Sequence, residues 1–394
     1  LIARARARTG FCALKRTGKT KEYVPVAKRI RLVCTAAAMV PLTVLAAACG
    51  SSSSSSSSSS PKATSSSAAS SAAALTETGS TLMFPLFGAW ATGYKSVAPK
   101  VTITTAGTGS GTGIADAATG TVTIGASDAY LSSADMTQYP GLLNIPTTVA
   151  AVMINYNVSG VKSLKLNGTV LAEIYSGKIT TWNDPAIAAL NPGVTLPAEK
   201  IIALHRADSS GSTFLFTSYM NSQDPSLWPA TNVNTTVSWP TKADSLAETG
   251  SGGMVTGCGA NKGCIAYIGI SYLSKTSAAG LGEASLENKA DKYTQPTSST
   301  IGAALASFAP ATPASGSQSL IDTSAAGGYP IINYEYVIVK KSQPSANTAT
   351  ALKAFLDWAV TSGSSSTYLG PVGFQPLPSS VVTTAKTLIS SISG

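Results

Sequence analysis

Between residues 75 and 394 the rhythm of hydrophobic and polar positions changes repeatedly. Phe87, Trp90, Ala91 and Tyr94 recur at steps of three and four, the spacing of a helix that buries one face. Val101, Ile103 and Thr105 alternate as in a strand, a glycine-rich turn follows, and Ile114 to Ala118 return to helical spacing. Val122 to Ile124 reads as a strand that runs into Gly125-Ala126-Ser127-Asp128. Further on, Ile201 to Leu204 predicts a strand, then come His205-Arg206-Ala207-Asp208-Ser209-Ser210-Gly211-Ser212 and a helical stretch from Phe214. Strand, polar glycine/serine turn and helix, in that order, make an α/β fold. A folded region of about 320 residues is long for one core, so two domains are expected. The sequence has no internal repeats.

The first 74 residues follow a different pattern. Residues 33–48 are apolar behind the basic cluster Lys28, Arg29 and Arg31 and end in small residues, which predicts a signal peptide. The apolar core is short for a bilayer span. It closes on Leu45-Ala46-Ala47-Ala48-Cys49-Gly50, which resembles the lipobox of bacterial lipoproteins, although its leucine stands one position early. Cys49 is therefore the candidate for lipidation (palmitate included); a cysteine following an ordinary secretion signal by chance would look the same. Residues 1–23 are long and basic for a signal sequence and begin at Leu1, and are read as an over-extended reading frame with the start near Val24 or Val26. From Ser51 to Ser60 the chain is unbroken serine, and Ser/Ala/Pro/Thr composition continues to about Ala74, so residues 49–74 predict a flexible tether.

Charge changes the picture only by its location. The formal net charge is +9, and residues 1–48 hold ten Lys/Arg against the single acid Glu22. The remainder carries 17 basic and 17 acidic residues and is neutral overall. The folded region has no net attraction for polyanions, which removes nucleic acid from the partners. Of the five cysteines, Cys258 and Cys264 alone fall in the globular part. In an exported chain, two cysteines six apart with no histidine beside them predict a disulfide rather than a metal half-site.

Three turns place Gly, Ser or Thr before a predicted helix: Gly79-Ser80-Thr81, Gly109-Ser110-Gly111-Thr112 and Ser209-Ser210-Gly211-Ser212-Thr213. Helix starts offer unpaired N–H donors and bind anions, though Ser and Thr also serve simply as caps. Arg206, in the third turn, is the only arginine after Arg31. Its planar fork fits an oxyanion in a way lysine does not, and an ion pair with Asp208 is the alternative use. Asp128 is an unexpected neighbour for an anion, unless that anion carries a proton. Hydrogen phosphate does and sulfate at neutral pH does not, so one buried carboxylate can separate the two. A metal-dependent phosphatase would need a ligand cluster and a serine hydrolase a second histidine; His205 is the only histidine, read as structural, and no Gly-x-Ser-x-Gly elbow or complete dinucleotide fingerprint is present. The reading is of a binding protein, not an enzyme, with no cofactor and no metal.

These segments resemble the PstS-type phosphate-binding lipoproteins of bacterial Pst ABC transporters, the mycobacterial branch most of all. The likeness spans roughly residues 75–394 and includes ETGSTLMFPLF, AGTGSGTGIADAATGTVTIGASDAYLS, IYSGKITTWNDPAIAALNPGVTLP, LHRADSSGSTFLFTSYM, GGMVTGCGANKGCIAYIGISYL, YPIINYEY and FLDWA. It implies a type II periplasmic-binding-protein fold: residues 75–148 with 333–394 as domain one, 149–332 as domain two, and crossovers near Ile145–Val152 and Tyr329–Tyr336. It also implies that Thr81, the Leu82 backbone N–H, Ser110 and Asp128 bind inorganic phosphate from domain one. Arg206, Ser210, Gly211 and Ser212 would bind it from domain two, with Asp208 orienting Arg206. Leu82 replaces a phenylalanine of the enterobacterial pattern, Met83 is an additional residue, and Ser212 stands where that pattern has threonine. The partners implied are phosphate, a Pst-type permease, and the extracytoplasmic face of the cell membrane through the lipid. A different oxyanion, or a surface adhesin or antigen on the same fold, are the competing readings.

Overall fold

The computed structural model describes residues 71–240 and 244–394, so the leader, Cys49 and nearly all of the tether lie outside the described residues. The strands are β1 (Ala73–Gly79), β2 (Val101–Thr104), β3 (Ile124–Ser127), β4 (Leu142–Asn157), β5 (Lys165–Leu166), β6 (Ile202–Arg206), β7 (Ser245–Glu248), β8 (Cys264–Gly269), β9 (Gly282–Glu283), β10 (Ser285–Glu287), β11 (Tyr293–Thr294) and β12 (Ile332–Lys340). Between them run α1 (Phe84–Val97), α2 (Ser110–Thr119), α3 (Ser133–Gln138), α4 (Gly168–Tyr175), α5 (Pro185–Leu190), α6 (Gly211–Gln223), α7 (Gly250–Ala260), α8 (Leu273–Ala278) and α9 (Ser298–Phe308). After β12 come α10 (Ala346–Ala359), α11 (Ser366–Leu369) and α12 (Ser379–Ser390).

Nine strands form one sheet in the order β2-β1-β3-β12-β4-β8-β6-β7, with β9 beside β4. The α/β expectation is met, with parallel pairing of β1 to β2 and β3, and of β6 to β7 and β8. Strand β4 joins the two runs. Its first ten residues pair antiparallel with β12, Leu142 opposite Lys340 through Ala151 opposite Ile332. Its last six pair with β8. An almost uninterrupted buried run, LLNIPTTVAAVMINYN, suits a strand covered on both faces. The chain thus passes from one half of the sheet to the other at Ala151/Val152 and returns just before Ile332, where the Val152 N–H donates to the Ile331 carbonyl at 3.0 Å.

Parallel strands deliver their carboxyl ends to one edge, where ligands of α/β proteins bind. β1 leads through Ser80-Thr81 into α1, and the turn after β2 leads into α2. β6 leads through Asp208-Ser209-Ser210 into α6, and β7 leads directly into α7. Two elements differ from the expected bounds. Val122 and Thr123 precede the strand instead of forming it, because the N–H groups of Thr121 and Val122 turn back to the Asp116 carbonyl at the end of α2. The pairing segment is Ile-Gly-Ala-Ser, whose small buried residues leave no hydrophobic alternation to read. Helix α6 starts three residues before Phe214, because Ser210 caps it by accepting from the Thr213 N–H at 3.3 Å.

The apolar core is continuous through both halves of the sheet. Phe87, Trp90 and Tyr94 of α1 meet Phe355 of α10, while Phe216 of α6 stacks on Tyr267 of β8 with ring centroids 4.6 Å apart. Cys258 near the end of α7 is disulfide-bonded to Cys264 at the start of β8, as their spacing predicts.

One core position carries a charge-capable group. Glu77 lies in β1, buried, and neither carboxyl oxygen has a hydrogen-bond partner of normal geometry among the described residues. Burial pushes its pKa from 4.5 to about 8, with the Ala106 backbone working weakly the other way. The unfolded chain therefore ionises first, and the stability tied to neutral Glu77 is complete below pH 4.5 and lost as the pH climbs to about 8. Glu77→Gln is expected to flatten that decline and to add roughly 1–3 kcal/mol near neutral pH. Urea midpoints across this window measure it, and identical slopes in parent and variant would refute it.

Candidate functional site

The starts of α1, α2, α6 and α7 face the same edge of the sheet, and Asp128, just past β3, lies among them. Its carboxyl accepts from donors on both halves: Ser80 Oγ on Oδ1, from the turn before α1, and Ser212 Oγ on Oδ2 at 2.8 Å, from the first turn of α6. The Asp128 N–H donates to Ser110 Oγ at 3.3 Å, and its carbonyl accepts from Asn333 Nδ2 at 2.8 Å. Burial raises the pKa of this carboxyl, while Ser80, Ser212, a neighbouring Glu335 and the positive charge of Arg206 pull it back.

Arg206 ends β6 with its side chain only 2% exposed. Its backbone N–H donates to the Tyr267 hydroxyl at 2.9 Å, which fixes the strand end. The guanidinium donates through Nε to Asp208 Oδ1 at 2.7 Å and through Nη2 to Oδ2, a two-pronged pairing along one edge of the fork. Asp208 Oδ1 also accepts from the Gly250 N–H at the start of α7, at 3.0 Å. Burial disfavours ionised Asp208, but the paired guanidinium and this amide outweigh it and hold the carboxyl below its ordinary value.

The halves approach so closely at this edge that side chains are excluded. A Cβ on Gly211 would lie 2.7 Å from both Asp128 Cβ and Ser110 Oγ, and one on Gly111 would lie 2.0 Å from Ser209 Oγ. The Gly111 N–H donates across to the Ser209 carbonyl at 3.1 Å.

Ser110, Asp128, Gly211 and Ser212 are thus in direct mutual contact, and Arg206 with Asp208 adjoins them. Ser210 is buried and caps α6. Thr81 Oγ1 lies 3.0 Å from Ser251 Oγ and accepts from the Ser251 N–H at 3.1 Å, so its hydroxyl ties α1's turn to α7. The Leu82 side chain is buried against Gly269, and its carbonyl accepts from Ser271 Oγ at 2.8 Å. Ser80, not Thr81, puts its hydroxyl on Asp128. Ser80 stood in a turn already singled out, but Ser251 had no local signal. Glu335, in β12, is fully buried and faces the Asp128 carboxyl; it too had no local signal. His205 packs its ring 5.3 Å from that of Trp239, and burial lowers its pKa, as suits a structural residue. Among the described residues no group of three or more His, Cys, Asp or Glu is arranged to hold a metal ion.

The sequence profile of the PBP superfamily domain matches residues 64–362. The phosphate-binding protein PstS of Methanocaldococcus jannaschii is 32% identical over 332 residues, covering 78% of this chain and 83% of that protein. The phosphate-binding protein PstS 3 of Mycobacterium leprae is 30% identical over 337 residues, covering 81% and 86%. The crystal structure of a phosphate-binding protein from Stenotrophomonas maltophilia superposes with a TM-score of 0.62 at 21% identity, covering 80% of this chain and 94% of that one, which gives the fold. By its sequence profile, its relatives and its shared fold, the chain belongs to the PBP superfamily and, within it, to the PstS family of phosphate-binding proteins.

Proposed function

We propose that this protein binds inorganic phosphate outside the cell and delivers it to an ABC-transporter permease. The observation that carries the reading is the pairing of opposites at one buried edge. Asp128, an acceptor, sits within reach of the hydroxyls and helix starts that favour an anion, and Arg206 adds a guanidinium whose charge Asp208 offsets. Such a site suits a tetrahedral anion that brings both charge and a proton of its own. The hydroxyls and N–H groups satisfy bare phosphate oxygens, and Asp128 accepts from the P–OH. Asp208 takes the Nε–Nη2 edge of Arg206, so the Nη1 edge is the one a phosphate oxygen can use. The ligand set is Thr81, the Leu82 N–H, Ser110, Asp128, Arg206, Ser210, Gly211 and Ser212, with Ser80 holding Asp128 in place. Residues 75–148 with 333–394 act as one domain and 149–332 as the other, closing by bending at the paired crossings in β4 and beside β12. Contacts such as the Gly111 N–H to the Ser209 carbonyl form on closure, and the closed face is what the permease reads.

A lipid on Cys49, followed by the serine-rich tether, would hold the domains at the extracytoplasmic membrane surface. No helix among the described residues is long and apolar enough to cross a membrane. Cys49→Ala is expected to move the protein from the detergent phase to the aqueous phase in Triton X-114 partitioning; unchanged partition would sink the anchor.

Calorimetry on ligand-stripped protein is expected to give one-to-one phosphate binding with sulfate silent, and binding of neither would remove the proposed function. Asp128→Asn should narrow the preference for phosphate over sulfate, and an unaltered ratio would rule out the acceptor role. Arg206→Lys should weaken phosphate binding by roughly 1–3 kcal/mol, since a point charge replaces the fork; parental affinity would exclude direct contact.

A further inference from the structure

Glu335 is the one buried acid beside the site that the proposed function leaves without a task. It is 0% exposed, and neither carboxyl oxygen receives a hydrogen bond from a donor group among the described residues. Its backbone carbonyl accepts from Thr147 Oγ1 at 3.0 Å, and the register of β12 against β4 shifts between Glu335 and Tyr336. β12 pairs antiparallel with β3, Tyr336 opposite Ser127, so the next step along each chain brings Glu335 beside Asp128, and each carboxyl bears on the other's charge. Two carboxylates side by side at this depth repel strongly, so one of them keeps a proton.

The surroundings decide which. Asp128 accepts from Ser80 and Ser212 and lies in the field of Arg206, all of which favour its ionised form. Glu335 has none of these: burial comes first and the nearby Asp128 second, and both push its pKa well above the ordinary range. The other titratable groups bearing on the pair are Tyr336, the next residue in β12, and Arg206, which acts through Asp128. Strand β4 presents Thr148 opposite Glu335, which carries no charge. Pairs of acids whose environments push them apart are how proteins assign one the proton and the other the charge.

We propose that Glu335 is a specificity-determining positioning residue: it keeps its proton, donates it in a hydrogen bond to Asp128, and so holds Asp128 as the ionised acceptor for the hydrogen of bound phosphate. This deepens the phosphate reading and rests on it. The proton stays on Glu335 throughout, and the ligand's proton stays on the ligand. Only two hydrogen bonds form, Glu335 to Asp128 and phosphate to Asp128. If Glu335 ionised, a second negative charge would lie behind the anion and binding would fail.

The full-length protein tests this with three variants: Glu335→Gln, Glu335→Leu and Glu77→Gln. Phosphate and sulfate affinities are measured by calorimetry across neutral to alkaline pH. Glutamine keeps a donor and cannot ionise, so E335Q should retain neutral-pH affinity and lose less of it at high pH than the parent. Leucine removes the donor, so E335L should bind phosphate about 10- to 150-fold more weakly and discriminate less against sulfate. The titration of phosphate itself is common to all variants and cancels in the comparison. Equal behaviour of E335Q and E335L, or an alkaline limb unchanged in E335Q, would overturn the proposal.

Infrared spectroscopy supplies an arm that needs no ligand. Glu77 also holds a proton, so spectra are compared between E77Q and E77Q/E335Q at neutral pH. Loss of a protonated-carboxyl C=O band on adding E335Q is expected, and no change would overturn the proposal. Should E335L not fold, E335Q and this band still decide. Were the parent to bind no phosphate, the functional reading would fall while the band still reported on the carboxyl pair.

Discussion

The antiparallel pairing of β4 with β12 is where two parallel α/β arrangements become one sheet, and every other contact at the site is referred to it. Each strand of this pair runs next to a crossing, and the two crossings are hydrogen-bonded neighbours, Val152 to Ile331. Two adjacent segments define a line about which the halves can bend, whereas a single linker would leave them free to wander. The Tyr329 hydroxyl, bonded to the Val152 carbonyl at 2.9 Å, ties the crossings together on a second side. β12 also reaches the site: Asn333 holds the Asp128 carbonyl, and Glu335 lies against its carboxyl. The join between the halves and the site therefore share one strand.

Charge at the site is handled by offsetting rather than accumulation. Arg206 and Asp208 form a pair that is neutral overall, so under the proposed function the attraction for an anion would come mainly from oriented N–H and O–H dipoles at helix starts. Oriented dipoles distinguish ligands by shape and by donor or acceptor character, while a cluster of positive charge would take any anion. The neutral charge balance of residues 49–394 agrees with that strategy.

The turns and the lone arginine were legible because rare residues announce themselves. Arg206 stood out by being the only arginine in the folded region, and the glycine/serine turns by repeating one design. The crossings were legible only through family resemblance, since long apolar strands look alike wherever they pass. What escaped had no local cause. β3 is built from Gly125, Ala126 and Ser127, too small to make a hydrophobic pattern, and its place is set by pairing with β1 and β12. The hydroxyl of Ser80 meets Asp128 and that of Thr81 meets Ser251, partners that arrive from distant parts of the chain. Glu335 sits in an ordinary strand motif, and its neighbour is more than two hundred residues away.

The close approach at Gly111 and Gly211 has a further consequence. Where a glycine takes the contact, one of the two surfaces has no rotamer to change, so its approach to Ser209 or to Asp128 and Ser110 is set by the backbone, like one jaw of a calliper. A molecule larger than the gap is not accommodated a little less well; it stops the jaws from meeting. Under the proposed function, size would then be read out as geometry of the whole protein, at a distance from the anion itself. A membrane partner that senses only that geometry could reject an oversized cargo without ever touching it.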